Sequence, residues 1–433
     1  QEFTLHMTVL LLPLVFLARL RIANMILRIL FLLLISFSVE AADKYIDTSC
    51  TFNGDGTAAA CAASGGAAGA YNTGASWTNG AGNNTYFKRG TTVSNLATII
   101  SSANQTFDDY GTADACPIIT NSGTFVLSVS ANDVTFNDIC VTGAASSALI
   151  NTAAARTILN RVKVYSNSIS NGIGVRFNNS SSDGQLNDVV VTDMTDDGIG
   201  INASATGLFT ITNLNCSRID TANSSGDCIQ AYDGTPASLT VSGGTFIRET
   251  GTKQAIRYSG SGSLIIKNRP KIYLLAAGAQ AVSMDGTGSL IISSIQAEGT
   301  SGAPLLYIHN TGQSYVYDCE LKGNDYGIWS SRPSGNLTIR GCNIYNSAIA
   351  GVYNTIDVTG GTTEVYSSFI RAPKSLNNAN TGAILKADYN TFAIPVFAWN
   401  GATINTLATW RSTSSQDTNS QSKSGPEIIR TAR

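Results

Sequence analysis

A repeated phrase constrains this chain more than any other feature. From about residue 148 a small residue is followed by an aliphatic one, then any residue, then often another apolar one. Copies recur at intervals of roughly 25 residues, inside the range of repeat architectures. They read Gly172-Ile173-Gly174-Val175, Gly198-Ile199-Gly200-Ile201, Cys228-Ile229-Gln230-Ala231, Ala255-Ile256-Arg257-Tyr258 and Ala281-Val282-Ser283-Met284. Leu305-Leu306-Tyr307-Ile308, Gly327-Ile328-Trp329 and Gly351-Val352-Tyr353 continue the series. Many copies are followed by a second apolar or β-branched run, such as Leu239-Thr240-Val241 or Leu290-Ile291-Ile292. Two or three short strands per unit, separated by Gly, Asn, Asp and Ser turns, predict one coil of a parallel β-solenoid. One coil cannot bury its apolar side alone, so coils stack at about 4.8 Å and share one core. The expectation is an all-β chain with about ten or more coils. Residues 116–390 are read as the solenoid, 42–115 as an N-terminal cap and opening region, and 391–433 as a tail open to truncation.

Composition removes the competing classes. Charged residues make up 13% and the net charge is −2, so no basic excess exists to displace counterions from nucleic acid. With 43% hydrophobic residues and almost no net charge, the chain can fill a core and is not expected to be disordered. The two histidines, His6 and His309, argue against a multi-His metal site. Residues 1–41 are read as an upstream segment and a signal peptide. Met25 and Arg28 precede the apolar run Ile29–Val39, and Val39-Glu40-Ala41 offers a cleavage site. That predicts a secreted protein, extracellular or periplasmic, with no membrane attachment after cleavage. Export permits disulfides. Cys50 and Cys61, in a Gly/Ala/Asn-rich stretch, are expected to pair. For the other six cysteines, in strand-like segments, buried thiol and bridge remain equally open.

Alternation along a strand sends the second residue of each phrase inward and the third and fifth outward. The residue before the phrase reads Asn171, Asp197, Asp227, Gln254, Gln280. Two carboxylates on adjacent coils, about 5 Å apart, repel by on the order of 3 kcal/mol at a surface-like dielectric. Three arrangements relieve this: a bound Ca²⁺, a shared proton, or turns that splay the side chains apart. Asp196, Asp197 and Asp227 are therefore candidate metal ligands, with ordinary turn chemistry as the competing explanation. The third position runs Gly174, Gly200, Gln230, Arg257, Ser283, Tyr307, Trp329, Tyr353, which puts three aromatics outward on consecutive coils. The fifth adds Arg176, Tyr232, Asp285 and His309. Aromatic platforms suit the apolar faces of sugar rings. Arg176, Gln230, Tyr232, Tyr307, Trp329 and Tyr353 are thus candidate contacts in a groove for an extended polysaccharide.

These coils resemble the right-handed parallel β-helix of the pectin-lyase-like superfamily. The opening segments Tyr86-Phe87-Lys88-Arg89-Gly90-Thr91 and Asp109-Tyr110-Gly111-Thr112, and the closing Phe397-Ala398-Trp399-Asn400, are similar to those of many secreted bacterial β-helix proteins. Asp196-Asp197-Gly198-Ile199, with Gly226-Asp227-Cys228-Ile229 one coil later, resembles the paired aspartates of polygalacturonases. Asp196-Asp197-Gly198 also resembles the calcium-binding turn of some pectate lyases. The resemblance implies a monomer acting on an acidic polysaccharide. The chemistry it favours is Ca²⁺-assisted β-elimination, with Asp196, Asp197 and Asp227 around the metal and Arg257 as base or charge stabiliser. A polygalacturonase-like hydrolase is one alternative, although Gln254-Ala255-Ile256-Arg257 stands where that family carries Gly-His-Gly. A non-catalytic extracellular solenoid, structural or glycan-binding, is the other.

Overall fold

The computed structural model describes residues 43–422 apart from 78–79, 95, 97–98, 167–171, 220–225, 356–360 and 380–383. The signal-peptide reading of residues 1–41, Asn171 and the end of the tail lie outside the described residues. The chain is nearly all β, with 54% strand and 3% helix, and winds into a parallel solenoid of about 12 turns. Each complete coil gives one strand to each of three ladders. The first ladder has 14 strands, from Asp43–Ile46 to Ile384–Asp388. Its strands Asp43–Ile46, Asn84–Lys88 and Gln105–Tyr110 fall within residues 42–115. The second passes through Lys163–Tyr165, Val190–Met194, Asn215–Ile219 and Thr245–Arg248, and the third through Ile173–Phe177, Ile199–Ile201, Ile229–Ala231 and Gln254–Tyr258. Below these, the long strand Cys140–Thr152 pairs with both Lys163–Tyr165 and Ile173–Phe177, so one strand serves two ladders.

The core follows from alternation. On the first ladder Phe107, Phe136, Leu159, Leu186 and Phe209 are buried, while their sequence neighbours are half-buried or exposed. The corner between first and second ladders is made by one residue in the left-handed region. Asp138, Arg161, Asp188 and Asn213 hold φ of 52°, 52°, 55° and 54°. Each donates its N–H one coil onward, Asp138 to Asn160 O at 3.0 Å and Asp188 to Thr212 O at 2.9 Å. Asp and Asn tolerate that conformation best, while Arg161 adopts it with its guanidinium clamped on the Asp138 carboxylate of the coil before. The next residue, Ile139, Val162, Val189 or Leu214, then points into the core. Elsewhere coils approach so closely that no side chain fits. A Cβ on Gly288 would lie 1.9 Å from Gly262 O.

All eight cysteines are paired: Cys50–Cys61, Cys116–Cys140, Cys216–Cys228 and Cys319–Cys342. The second and fourth, with separations of 24 and 23 residues, tie successive coils together. The last strand of the third ladder, Phe397–Trp399, pairs antiparallel with Ala402–Ile404. The helix Leu407–Ser414 follows, started by the Thr406 hydroxyl, which accepts from Thr409 N–H at 3.1 Å. Its buried Trp410 stacks on Phe397 and donates to Asp417 Oδ2 at 2.6 Å. Among the described residues no helix is long and apolar enough to cross a membrane.

Candidate functional site

The third ladder fixes which side chains become neighbours. Its outward column reads Arg176, Gly200, Gln230, Arg257, Ser283, Tyr307, Trp329, Tyr353, each in register with the next. From Gly200 onward this is the column expected from the repeated phrase. One coil earlier the register slides by two, because Val175 and Phe177 pair with Ile199 and Ile201. Arg176, expected two positions along, therefore occupies this column in place of Gly174, which is buried.

At the start of the same strands, Asp197 and Asp227 are both 0% exposed. Each carboxylate accepts the N–H of the equivalent residue one coil on: Asp227 N–H donates to Asp197 Oδ1 at 2.8 Å and Gln254 N–H to Asp227 Oδ1 at 2.6 Å. Tyr232 Oη donates to Asp197 Oδ2 at 2.6 Å. The Gln230 amide, turned with its nitrogen toward the acid, lies 3.0 and 3.1 Å from the two Asp197 oxygens. Asp197 is thus roofed by Gln230 and Tyr232. Gly200 makes room for this roof, since a Cβ there would sit 3.3 Å from the Tyr232 ring. Asp227 Oδ2 is buried and accepts no hydrogen bond among the described residues. Burial, with Asp196 beside it, pushes Asp197 up to about 8. Burial also lifts Asp227 to about 7, against the Gln254 N–H and the nearby Arg248, Arg257 and Lys253 cations. Tyr232 is held well above the usual phenol range by burial and by the Asp197 carboxylate. The Cys216–Cys228 bridge pins the residue that follows Asp227.

Asp196 is half-buried beside this pair. Arg257 is half-exposed one coil beyond Gln230 and reaches Asp233 at 3.7 Å. Arg176 is held by neutral groups, with Nε donating to Asn151 Oδ1 at 3.0 Å, Nη1 donating to Ser147 Oγ at 2.9 Å, and the Phe125 ring 5.3 Å away. Among the described residues, the acidic groups whose ligand atoms converge within 4.8 Å are Asp108, Asp109 and Asp138, and Asp47 with Cys50 and Cys61. Arg89 and Arg161 pair with the first of these groups, and the two sulfurs of the second are joined in the Cys50–Cys61 disulfide.

Farther along, Tyr307, Trp329 and Tyr353 form one cluster. Ring centroids are 5.8 Å apart for Tyr307–Trp329 and 5.1 Å for Trp329–Tyr353. Tyr326 joins them, 4.8 Å from Tyr353 and 5.2 Å from Trp329. The repeated phrase did not reveal Tyr326, because it precedes Gly327-Ile328, at a position where alternation gives no direction. At one edge the Tyr307 hydroxyl and His309 Nδ1 are 3.1 Å apart. His309 is in register with Asp285, which accepts from Ser283 Oγ at 3.1 Å.

The structure therefore brings Asp197, Asp227, Gln230, Tyr232 and Arg257 together and places the aromatic cluster further along the same ladder. No protein-family model matches this chain, and no curated protein is similar to it.

Proposed function

We propose that this solenoid is a secreted carbohydrate-active protein that holds an acidic polysaccharide along its third ladder. The observation that carries the reading is the in-register cluster Tyr307–Trp329–Tyr353, outward on consecutive coils of the face that also presents Arg257. Half-exposed rings suit the apolar faces of sugars, and Arg257 and Arg176 on the same column suit acid groups. Asp197 is sealed beneath Gln230 and Tyr232 and Asp227 is equally buried, so a polymer on this face meets amide, phenol, guanidinium and aromatic groups first. Binding without turnover is the reading that this geometry supports best. Export rests on the apolar run before Val39-Glu40-Ala41. Isothermal titration calorimetry with polygalacturonate and alginate tests it. Trp329→Ala is expected to weaken binding roughly tenfold, as loss of a central aromatic does. Unchanged affinity for every acidic polymer would overturn the reading.

A second reading, eliminative cleavage, is favoured by the unsatisfied Asp227 Oδ2, the kind of buried oxygen that a cation or proton satisfies. Asp227 Oδ2 would be a ligand to Ca²⁺, joined by Asp196 and Asp197 once their carboxylates turn to converge with it, which they do not do within 4.8 Å here; the ion when bound would neutralise a uronate carboxylate and acidify its α-proton. Arg257 is the nearest cation on the outward column to receive or stabilise charge. Ultraviolet absorbance of unsaturated product, with and without Ca²⁺, separates this reading from simple binding. Reducing ends released without that absorbance would instead indicate a hydrolase. The resemblance to the pectin-lyase-like superfamily supports both catalytic readings.

A further inference from the structure

The first ladder carries a separate outward surface on another face of the solenoid. In its C-terminal half one column reads Ile265, Ile291, Tyr315, and two residues further along its strands lies a second column of Tyr317, Arg340, Tyr366. The three tyrosines are half-buried and stand between fully buried Val316, Ile339 and Val365. Tyr315 and Tyr317 lie nearly parallel, with centroids 5.8 Å apart at 26°. Nearer the N-terminus the second column is polar: Asn160 donates to Asn137 at 2.9 Å and Asn187 to Asn160 at 2.8 Å. The rings are therefore a local feature of these coils.

The charges point the same way. Arg340 is exposed between Tyr317 and Tyr366, and among the described residues it pairs with no carboxylate. Nearby Glu364 is engaged by Lys386 at 3.1 Å, and Asp318 stands exposed at the adjoining corner. On the earlier coils of the same face Arg156 and Arg161 are each clamped by an aspartate. An arginine left without an internal partner between two outward tyrosines matches a sugar polymer bearing carboxylates. Rings take the apolar sugar faces, and a guanidinium takes an acid group with two parallel hydrogen bonds.

We propose that this surface is a second carbohydrate platform, which takes a stretch of acidic polysaccharide across Tyr317, Arg340 and Tyr366. The proposal rests on the glycan reading of the third ladder. Because the platforms occupy different ladders, one molecule joins two polymer strands, and the linkage raises avidity without new contacts.

The test is calorimetry of the full chain with oligogalacturonates too short to span both faces, using neutral malto-oligosaccharides as control. Wild type is expected to bind about two oligomers per chain, and the Tyr317→Ala/Arg340→Ala and Trp329→Ala/Tyr353→Ala variants about one each. All four substitutions are on the outer surface, and circular dichroism verifies that each variant is folded. Stoichiometry in the Tyr317→Ala/Arg340→Ala variant equal to that of wild type overturns the second platform. If the Trp329→Ala/Tyr353→Ala variant alone then loses binding, the third-ladder reading stands. Absence of any binding by wild type overturns both.

Discussion

Replacing Asp227 with asparagine isolates the proton held inside the solenoid. Asp227 Oδ1 accepts the Gln254 N–H at 2.6 Å and Oδ2 accepts no hydrogen bond among the described residues. Asparagine keeps the one hydrogen bond through its Oδ1 and puts an uncharged amide nitrogen at the position of Oδ2. Burial raises the Asp227 carboxyl from its ordinary 3.8 to about 7. An acid raised in the folded state binds its proton more tightly folded than unfolded. Stability is then highest below the unfolded value, falls as pH climbs toward the folded one, and levels off above it. The slope from one such group is on the order of 1 kcal/mol per pH unit, so wild type loses roughly 2–3 kcal/mol between about pH 5 and about pH 7. The variant loses none of this. Asp197, raised to about 8, titrates in both proteins and largely cancels from the difference. Urea unfolding followed by circular dichroism across that range is the assay. The variant is expected to gain on wild type by roughly 2 kcal/mol as pH rises. A difference that stays constant with pH would refute the reasoning, because it would mean that Asp227 is already ionised in the folded chain.

Two further perturbations follow from the stacking. Converting Cys319 and Cys342 to serine removes a link across 23 residues and is expected to cost about 3 kcal/mol in urea unfolding under non-reducing conditions. Gly288→Ala drives a Cβ to within 1.9 Å of Gly262 O, a contact that only coil separation relieves, so a loss of at least about 3 kcal/mol or failure to accumulate folded protein is expected.

The fold was legible because the period is carried by residues with one job. Ile199, Ile229, Ile256, Val282, Leu306, Ile328 and Val352 all point inward at 0% exposure, and alternation then orients their neighbours. The register failed where that phrase is ambiguous. Ile173-Gly174-Val175 and Val175-Arg176-Phe177 both read as aliphatic, small or polar, then apolar, and only pairing with Ile199 and Ile201 selects the second. Position before the phrase carried no direction. Sequence alone presents Asp197 and Asp227 as mutually repelling carboxylates, whereas the structure buries both and gives each the backbone N–H of the next coil. The Cys116–Cys140 and Cys319–Cys342 pairs were hidden for a related reason. Separations of 24 and 23 residues signify contact only when they coincide with one turn at a corner. The surface on the first ladder is not legible in the repeated phrase because Tyr315, Tyr317 and Tyr366 belong to the second run of each unit, whose alignment varies with the lengths of the intervening turns.

A stack of parallel strands has a particular hazard at its last rung, where the exposed backbone groups are a template for any extended segment of another molecule. Here the chain folds back on itself: Ala402–Ile404 occupies the margin of Phe397–Trp399, and Trp410 from the short helix is laid against Phe397. The hairpin and helix thus occupy the free edge of the third ladder's last described strand, so its backbone groups are met from within the chain instead of being offered to another molecule.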